Sequence, residues 1–350
     1  MKKLFSLLLI LGLLLSGCSE PQTTPSIATV PAGDEDLYVH FLDVGQADCI
    51  LIEYGEHHML IDGGNRDDGA LVVSYLDQHG IQELDAVICT HAHEDHVGGL
   101  PAVLAVYPTA AVYAPTKTYS SKVFDDFMYY VDQQGLEVTI PAPGDTFFLG
   151  AVQVTILGPV KSYAETNDTS IVCRLDFGET SFLFTGDMET AAENDMLDYW
   201  EDRHSAEIVN VDLLKVGHHG SNTSSSYRFL YEADPTYGVI SCGRNNDYGH
   251  PHKEPMSRLH QAGITLFRTD EMGHILARSD GSEITFTWVI QSAEPDNAQS
   301  PEEFYIGNRN SKKLHAPSCT NLPAPGNQVE FTSLQDALAQ GYTPCSNCLE

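Results

Sequence analysis

The segment His91-Ala92-His93-Glu94-Asp95-His96 constrains this chain more than any other stretch. It follows the apolar residues 86–90, which read as a short strand, and precedes Val97-Gly98-Gly99-Leu100. Three imidazoles and an aspartate crowded into one turn at a strand end form a donor set for divalent cations. So tight a loop can aim alternate side chains at two neighbouring positions. His91 and His93 would face one cation, Asp95 and His96 the other. A solvated surface cluster is the competing reading, and imidazole and carboxylate grouped at a strand end are rarely just solvated.

Short strands and helices alternate around this turn. Strands are expected at 37–42, 49–54, 58–61, 86–90 and 111–114, with helices at 70–79, 100–107 and 122–134. A second half offers strands at 152–157, 170–177, 181–185, 211–216 and 237–241, with a helix at 189–200. Repetition of the same order implies an α/β architecture of two sheets packed face to face with helices outside. At 350 residues and 42% hydrophobic content the chain can bury a sizeable core and is too apolar to be disordered. The formal charge of -31 argues against a partner held along a broad basic face. It does not exclude a nucleic-acid substrate, because bound cations can supply the local positive charge.

Residues 1–18 read as an export signal, opened by Lys2 and Lys3 and continued by an apolar run at 4–15 that is short for a bilayer span. Leu15-Ser16-Gly17-Cys18 resembles a bacterial lipobox, which implies lipidation at Cys18 and a membrane-anchored protein facing outside the cytoplasm. An ordinary secretory signal or an uncleaved anchor are the alternatives. Residues 19–36 then form a flexible tether, 37–290 the main domain, 291–303 a linker and 304–350 a small module. Cys49, Cys89, Cys173 and Cys242 lie in or beside apolar runs and are expected as free thiols packed like small hydrophobes.

Five further motifs accompany His-x-His-x-Asp-His: Phe41-Leu-Asp-Val-Gly-Gln46 with Asp48, Leu60-Ile-Asp-Gly-Gly64, Thr185-Gly-Asp187, Leu214-Lys-Val-Gly-His-His-Gly-Ser221 and Tyr248-Gly-His-Pro251. In this order they resemble the metallo-β-lactamase-fold hydrolases, and within them the extracellular hydrolase domain of the competence DNA-uptake proteins known as ComEC. The resemblance covers residues 37–290 and implies an αββα sandwich of two mixed sheets with helices outside. It implies a metal-dependent hydrolase carrying one or two divalent cations, Zn²⁺ or Mn²⁺, and first of all a phosphodiesterase or nuclease acting on DNA through a metal-bound hydroxide. The ligands it implies are His91, His93, Asp95, His96, Asp187 and one of the adjacent histidines. His218 is favoured for the second cation, with His219 beside it or donating a proton to the leaving group.

In that reading Asp95, His219, His250 and Asp62 carry catalytic duties. Asp62 would fix the tautomer of a ligating imidazole, unless it is a plain turn residue. Asp187, at a strand end, would bridge both cations, unless it only caps a helix. His250 would contact substrate or leaving group, or merely pack a loop. Many relatives place a third histidine before the Asp187 strand, where this chain has Glu165-Thr-Asn-Asp-Thr-Ser170. Asn167 or Asp168 could offer an oxygen ligand there, a harder shell that brings Mn²⁺ or a single cation into consideration. Ala47 and Cys49 also depart from the pattern and read as packing changes. Two other functions stay open: a hydrolase of lactones, β-lactams or small esters, which a deep apolar pocket would favour, and a non-catalytic, metal-stabilised DNA-binding surface lipoprotein. No serine elbow or phosphate-cradling loop offers another nucleophile.

The tail, with His315, Cys319 and Pro344-Cys345-Ser-Asn-Cys348, resembles the small Ada-like metal-binding modules. It implies one structural Zn²⁺ held by His315, Cys319, Cys345 and Cys348, which a module too short for a strong core would need. A redox Cys-x-x-Cys pair is the alternative, but no thioredoxin-like strand and helix precede it. Arg309, Lys312 and Lys313 are offset by Glu330, Asp336 and Glu350, so charge does not decide whether this module grips nucleic acid.

Overall fold

Side-chain alternation sets the first three strands, β1 (Leu37–Phe41), β2 (Ile50–Tyr54) and β3 (His57–Ile61). Leu37, Val39, Phe41, Ile50, Ile52, Met59 and Ile61 share one face and one apolar core. Leu51 and Leu60 point the other way, into a core shared with helix residues Val72 and Leu76. A one-residue slip would exchange the two faces, so the register is fixed by burial on both sides. The computed structural model describes residues 35–289, 305–315, 319, 322–331, 337 and 340–345.

After β3 come α1 (Gly69–Gln78), β4 (Leu84–Ile88), α2 (Glu94–Val97), α3 (Leu100–Val106), β5 (Thr109–Tyr113), α4 (Lys122–Gln133) and β6 (Val138–Thr139). The second half runs β7 (Thr146–Leu149), β8 (Val152–Gly158), β9 (Val172–Phe177), β10 (Thr180–Phe184), α5 (Thr190–Glu201), β11 (Leu213–Lys215), α6 (Tyr227–Ala233), β12 (Tyr237–Ile240), α7 (Lys253–Gln261), β13 (Thr265–Arg268), α8 (Thr269–Met272), β14 (His274–Ser279) and β15 (Ile284–Val289). One sheet has the order β15-β14-β1-β2-β3-β4-β5-β6, the other β13-β12-β11-β10-β9-β8-β7. β14 pairs antiparallel with β1, from Leu37↔Ser279 to Phe41↔Ile275, so the last hairpin closes on the first strand.

Three apolar layers result. The central one lies between the sheets, where Phe41, Leu175, Phe177, Phe182 and Phe184 meet. A second packs α1, α3 and α4 on the first sheet through Val72, Leu76, Val103, Phe124 and Phe127. A third packs α5, α6 and α7 on the second sheet through Met196, Trp200, Phe229 and Leu259. Each fully buried Leu, Phe or Met contributes about 1.5–3 kcal/mol. Ser121 and Ser226 start α4 and α6 by accepting hydrogen bonds from Phe124 N and Phe229 N. The expected αββα sandwich of mixed sheets is therefore observed, and Cys49, Cys89, Cys173 and Cys242 are buried free thiols.

The chain divides into two compact units, residues 1–290 and 291–350. In the second, β16 (Tyr305–Asn308), β17 (Lys313–His315), β18 (Gln328–Phe331) and β19 (Thr343–Pro344) form a sheet of order β18-β16-β17-β19. Its core is small, with Leu314, Phe331, Ala337 and Tyr342. The export signal, Cys18, nearly all of the tether, the linker 291–303 and Cys348 lie outside the described residues. Among the described residues no helix is long and apolar enough to cross a membrane.

Candidate metal centre

Strand ends of both sheets converge on one buried cluster. From the first sheet, β3 delivers Asp62 and β4 delivers the turn that begins at Cys89. Asp62 has a left-handed backbone (φ 59), a strained setting for a non-glycine residue. Its carboxylate accepts hydrogen bonds from Thr90 N and Thr90 Oγ1, both at 2.7 Å, and lies 2.7 Å from His96 Nδ1. Glycines let the two loops touch: a Cβ on Gly99 would stand 2.0 Å from the Gly63 carbonyl oxygen. Gly63 N donates to His96 O at 2.7 Å, which fastens the histidine turn to the Asp62 loop.

From the second sheet come Asp187, just past β10, and His218 with His219, just past β11. The two oxygens of Asp187 face different partners. Oδ1 lies 3.3 Å from His96 Nε2 and 3.7 Å from His219 Nε2. Oδ2 lies 3.6 Å from His218 Nε2 and 3.9 Å from His91 Nε2. Asp95 Oδ2 is 3.3 Å from His219 Nε2, so Asp95, His96, Asp187 and His219 place their donor atoms within 4.8 Å of one another. His93 Nδ1 sits 3.1 Å from His91 Nε2, on the other side. Within the turn, Asp95 Oδ2 lies 3.8 Å from His96 Nε2, and the His91 ring lies 4.1 Å from that of His96.

The geometry reverses the expected order of the histidine pair: His219, not His218, joins the group of Asp95 and His96. Both residues are left-handed (φ 50 and 52), and the four-residue turn Gly217–Gly220 fans their side chains to the two oxygens of Asp187. His219 is pinned, with Nδ1 2.9 Å from Ser241 O and 3.4 Å from Asp48 Oδ1. His218 Nδ1 lies 3.1 Å from Thr223 Oγ1 and 3.3 Å from Glu189 Oε1. His218 therefore shares Asp187 Oδ2 with His91, the residue whose group lacked a third imidazole in the sequence. Of the two candidate oxygens, Asn167 Oδ1 is buried without a hydrogen bond, whereas Asp168 Oδ1 is occupied by Glu189 N at 3.1 Å.

Charge at the cluster is strongly organised. Burial alone would raise the Asp187 carboxyl, but the charges of His96 and His219 hold it well below the usual range. The same contest takes Asp95 down to about 2. Burial disfavours a proton on His96, yet Asp187, Asp62 and Asp95 raise it well above the ordinary imidazole value. His219 is pushed up to about 10, burial again being outweighed by Asp187 and Asp48. His91, by contrast, is held neutral by burial and by the neighbouring charge of His96. The carboxylates thus require positive charge, which divalent cations supply as well as protons do. His96 Nε2 and Asp187 Oδ1 are buried and neither has an aligned hydrogen bond. The nitrogen and oxygen donors fit Zn²⁺ or Mn²⁺.

A residue that sequence reading passed over lies beneath. Lys215, at the end of β11, is fully buried, with Nζ 2.8 Å from Asp48 Oδ2 and donating to Val216 O at 3.1 Å. Its only signal was a lysine inside an apolar strand. The Ser241 carbonyl and the Thr90 hydroxyl, which orient imidazoles, carried no signal at all.

A cavity of about 310 Å³ opens in front of the cluster, lined by His93, Asp95, Asn167, His218, His219, Gln46, Tyr248 and His250. His250 Nδ1 lies 3.2 Å from Gln46 Nε2, and burial together with His219, His218 and His252 takes its pKa down to about 4. A second cavity of about 460 Å³ reaches Ala92, between the first two histidines, and includes Tyr119, Lys161 and Tyr163. In the C-terminal unit, His315, Cys319 and Cys345 place their donor atoms within 4.8 Å of one another, with His315 Nδ1 3.3 Å from Cys319 Sγ.

Comparison with known proteins bears on both units. The Metallo-beta-lactamase superfamily matches residues 42–244, and the Metal binding domain of Ada matches residues 290–350. ComE operon protein 3 of Bacillus subtilis is 28% identical over 71% of this chain and 34% of its own length. Competence protein ComA of Neisseria gonorrhoeae is 28% identical over 69% and 32%. Recombination protein 2 of Haemophilus influenzae is 30% identical over 68% and 28%. The chain spans about a third of the length of these relatives.

Proposed function

The chain belongs to the metallo-beta-lactamase superfamily, and from that premise we infer that it is a metal-dependent phosphodiesterase acting on DNA. We further infer that it is exported and tethered outside the cytoplasm through a lipid on Cys18. The observation that carries the substrate reading is the cavity at the centre. Its lining is imidazole, carboxylate, amide and phenol with no aliphatic side chain, which suits a charged phosphodiester better than a lactone. Similarity to proteins named for competence and recombination supports DNA as the polymer.

In this reading His91, His93, His218 and Asp187 would hold one cation, and Asp95, His96, His219 and Asp187 the other. When bound, the cations supply Lewis-acid activation of water and offset the charge of the phosphodiester. Asp62 orients His96 and ties it to Thr90, while Asp48 and the Ser241 carbonyl orient His219. Neutral His250 and Gln46 offer hydrogen bonds at the cavity mouth. Tyr248, 70% exposed, offers a ring on which a base can stack. His315, Cys319, Cys345 and Cys348 would hold a structural Zn²⁺ in the tail.

The test is hydrolysis of single- and double-stranded DNA, bis-p-nitrophenyl phosphate and a lactone by chelated protein before and after Zn²⁺ or Mn²⁺ is restored. Metal-dependent DNA cleavage that vanishes in His91→Ala supports the reading. Lactone turnover without phosphodiester cleavage would refute it, and metal-loaded protein inert on every substrate would replace it with a binding role.

A further inference from the structure

We propose that His40, Glu53 and His79 form a second, separate site for a zinc-type divalent cation on the outer face of the first sheet. None of the three belongs to the centre described above, and the proposal does not depend on what that centre hydrolyses.

The site starts from a sequence anomaly. Leu37, Val39 and Phe41 face the core between the sheets, so His40 faces outward, where the neighbouring layer is Leu51, Leu60, Val72 and Leu76. His40 is only 3% exposed. An imidazole in such a layer is costly unless its nitrogens are satisfied. Its Nδ1 is, at 2.9 Å from the Tyr75 hydroxyl. Its Nε2 lies 2.8 Å from Glu53 Oε2, and His79 Nδ1 lies 3.1 Å from the same oxygen.

His40 Nε2 and Glu53 Oε2 are both buried, so their 2.8 Å approach is shielded from water. His96 Nε2 and Asp187 Oδ1 are likewise buried and close, at 3.3 Å, in the candidate metal centre. Donor atoms of three side chains that converge on one point are arranged as ligands of a common ion are. The three donor atoms lie within 4.8 Å of one another, and two imidazoles with one carboxylate is a zinc donor set.

The surroundings match a held site. The Tyr75 hydroxyl on Nδ1 fixes the His40 ring so that Nε2 is the ligand, the role outer partners play around ligating histidines. The Tyr75 ring stacks on His79 at 4.5 Å and 24°, which holds the third ligand at the end of α1. Directly across the strand pair from Glu53 stands His58, whose Nδ1 is buried without a hydrogen bond. The His79 side chain is 33% exposed, which gives an ion its route from solvent.

The experiment counts ions on the full chain. Wild type, His79→Gln and Glu53→Gln are loaded with Zn²⁺, freed of excess, and measured by elemental mass spectrometry, with circular dichroism to verify folding. Both variants should hold one Zn²⁺ fewer per chain than wild type. With Co²⁺ in place of Zn²⁺, both should lose part of the visible ligand-field absorption. Hydrolysis of bis-p-nitrophenyl phosphate should be unchanged in His79→Gln. His79→Gln keeps a hydrogen-bonding side chain at a partly exposed position, so it decides the matter even where Glu53→Gln fails to fold. A zinc count in folded His79→Gln equal to wild type overturns the proposal and leaves the cluster a buried ion-pair network.

Discussion

Replacing Lys215 with methionine is expected to be among the most damaging single changes in the main unit. The Lys215 ammonium and the Asp48 carboxylate are 2.8 Å apart, with side chains 1% and 2% exposed. Methionine fills a similar volume but leaves the carboxylate buried without its cation, a loss of about 3–5 kcal/mol for pairs of this kind. His219 Nδ1, 3.4 Å from the other Asp48 oxygen, offsets part of this and favours the lower end. For a unit of this size about 1 kcal/mol shifts the melting temperature by 2–4 °C, so the variant should melt about 6–20 °C below wild type. The assay is thermal unfolding of chelated protein followed by circular dichroism, with Asp48→Asn and the double variant completing a cycle. The double variant should recover part of the loss, because the uncompensated charge is gone. Lys122→Met serves as control: its pair with Asp126 is exposed and should matter by less than about 0.5 kcal/mol. A Lys215→Met melting point within about 2 °C of wild type, or a double variant that sums both losses, would refute the reasoning.

Three further outcomes are expected. Asp62→Ala frees the His96 ring and should weaken metal affinity by about 10–100-fold, read by Zn²⁺ titration against a chelator, with folding intact. His250 has its folded pKa depressed to about 4 from 6.5, so the stability it confers is present above about pH 6.5 and drains away as pH falls toward 4. In chelated protein, the melting temperature of wild type relative to His250→Gln should therefore fall between pH 7.5 and pH 4.5; a constant difference would contradict the assignment. Cys345→Ser should release one zinc per chain and lower the unfolding temperature of the C-terminal unit while metal-dependent hydrolysis by the main unit persists; an unchanged zinc content would count against a structural zinc there.

Much of this organisation was legible in the residues. The histidine turn, Asp62 and Asp187 sit at ends of apolar strands, and strand ends are where a sandwich can bring side chains from two sheets together. The central strands were legible because both their faces are buried, as in Val172–Phe177 and Thr180–Phe184. The segments after residue 241 were less legible: β15 has one buried residue in six, and the place of β14 beside β1 is a long-range pairing that local pattern does not encode. The order of His218 and His219 was illegible for a different reason. It depends on two consecutive left-handed residues, whose side chains are held by Thr223 in the same loop and by Asp48, Glu189 and Ser241 from elsewhere in the chain. Lys215 escaped notice because its partner, Asp48, lies 167 residues away.

The seam between the sheets has a mechanical consequence. Asp95 and His219 are 124 residues apart in the chain, yet their donor atoms approach to 3.3 Å. An ion gripped by both closes a loop longer than a hundred residues, a constraint for which a covalent link would be worth about 4.7 kcal/mol of unfolded-chain entropy. The six described cysteines form no such link. Metal held there would do for this unit what cystine does for stapled domains, and a chelator should act on it as a reductant acts on them.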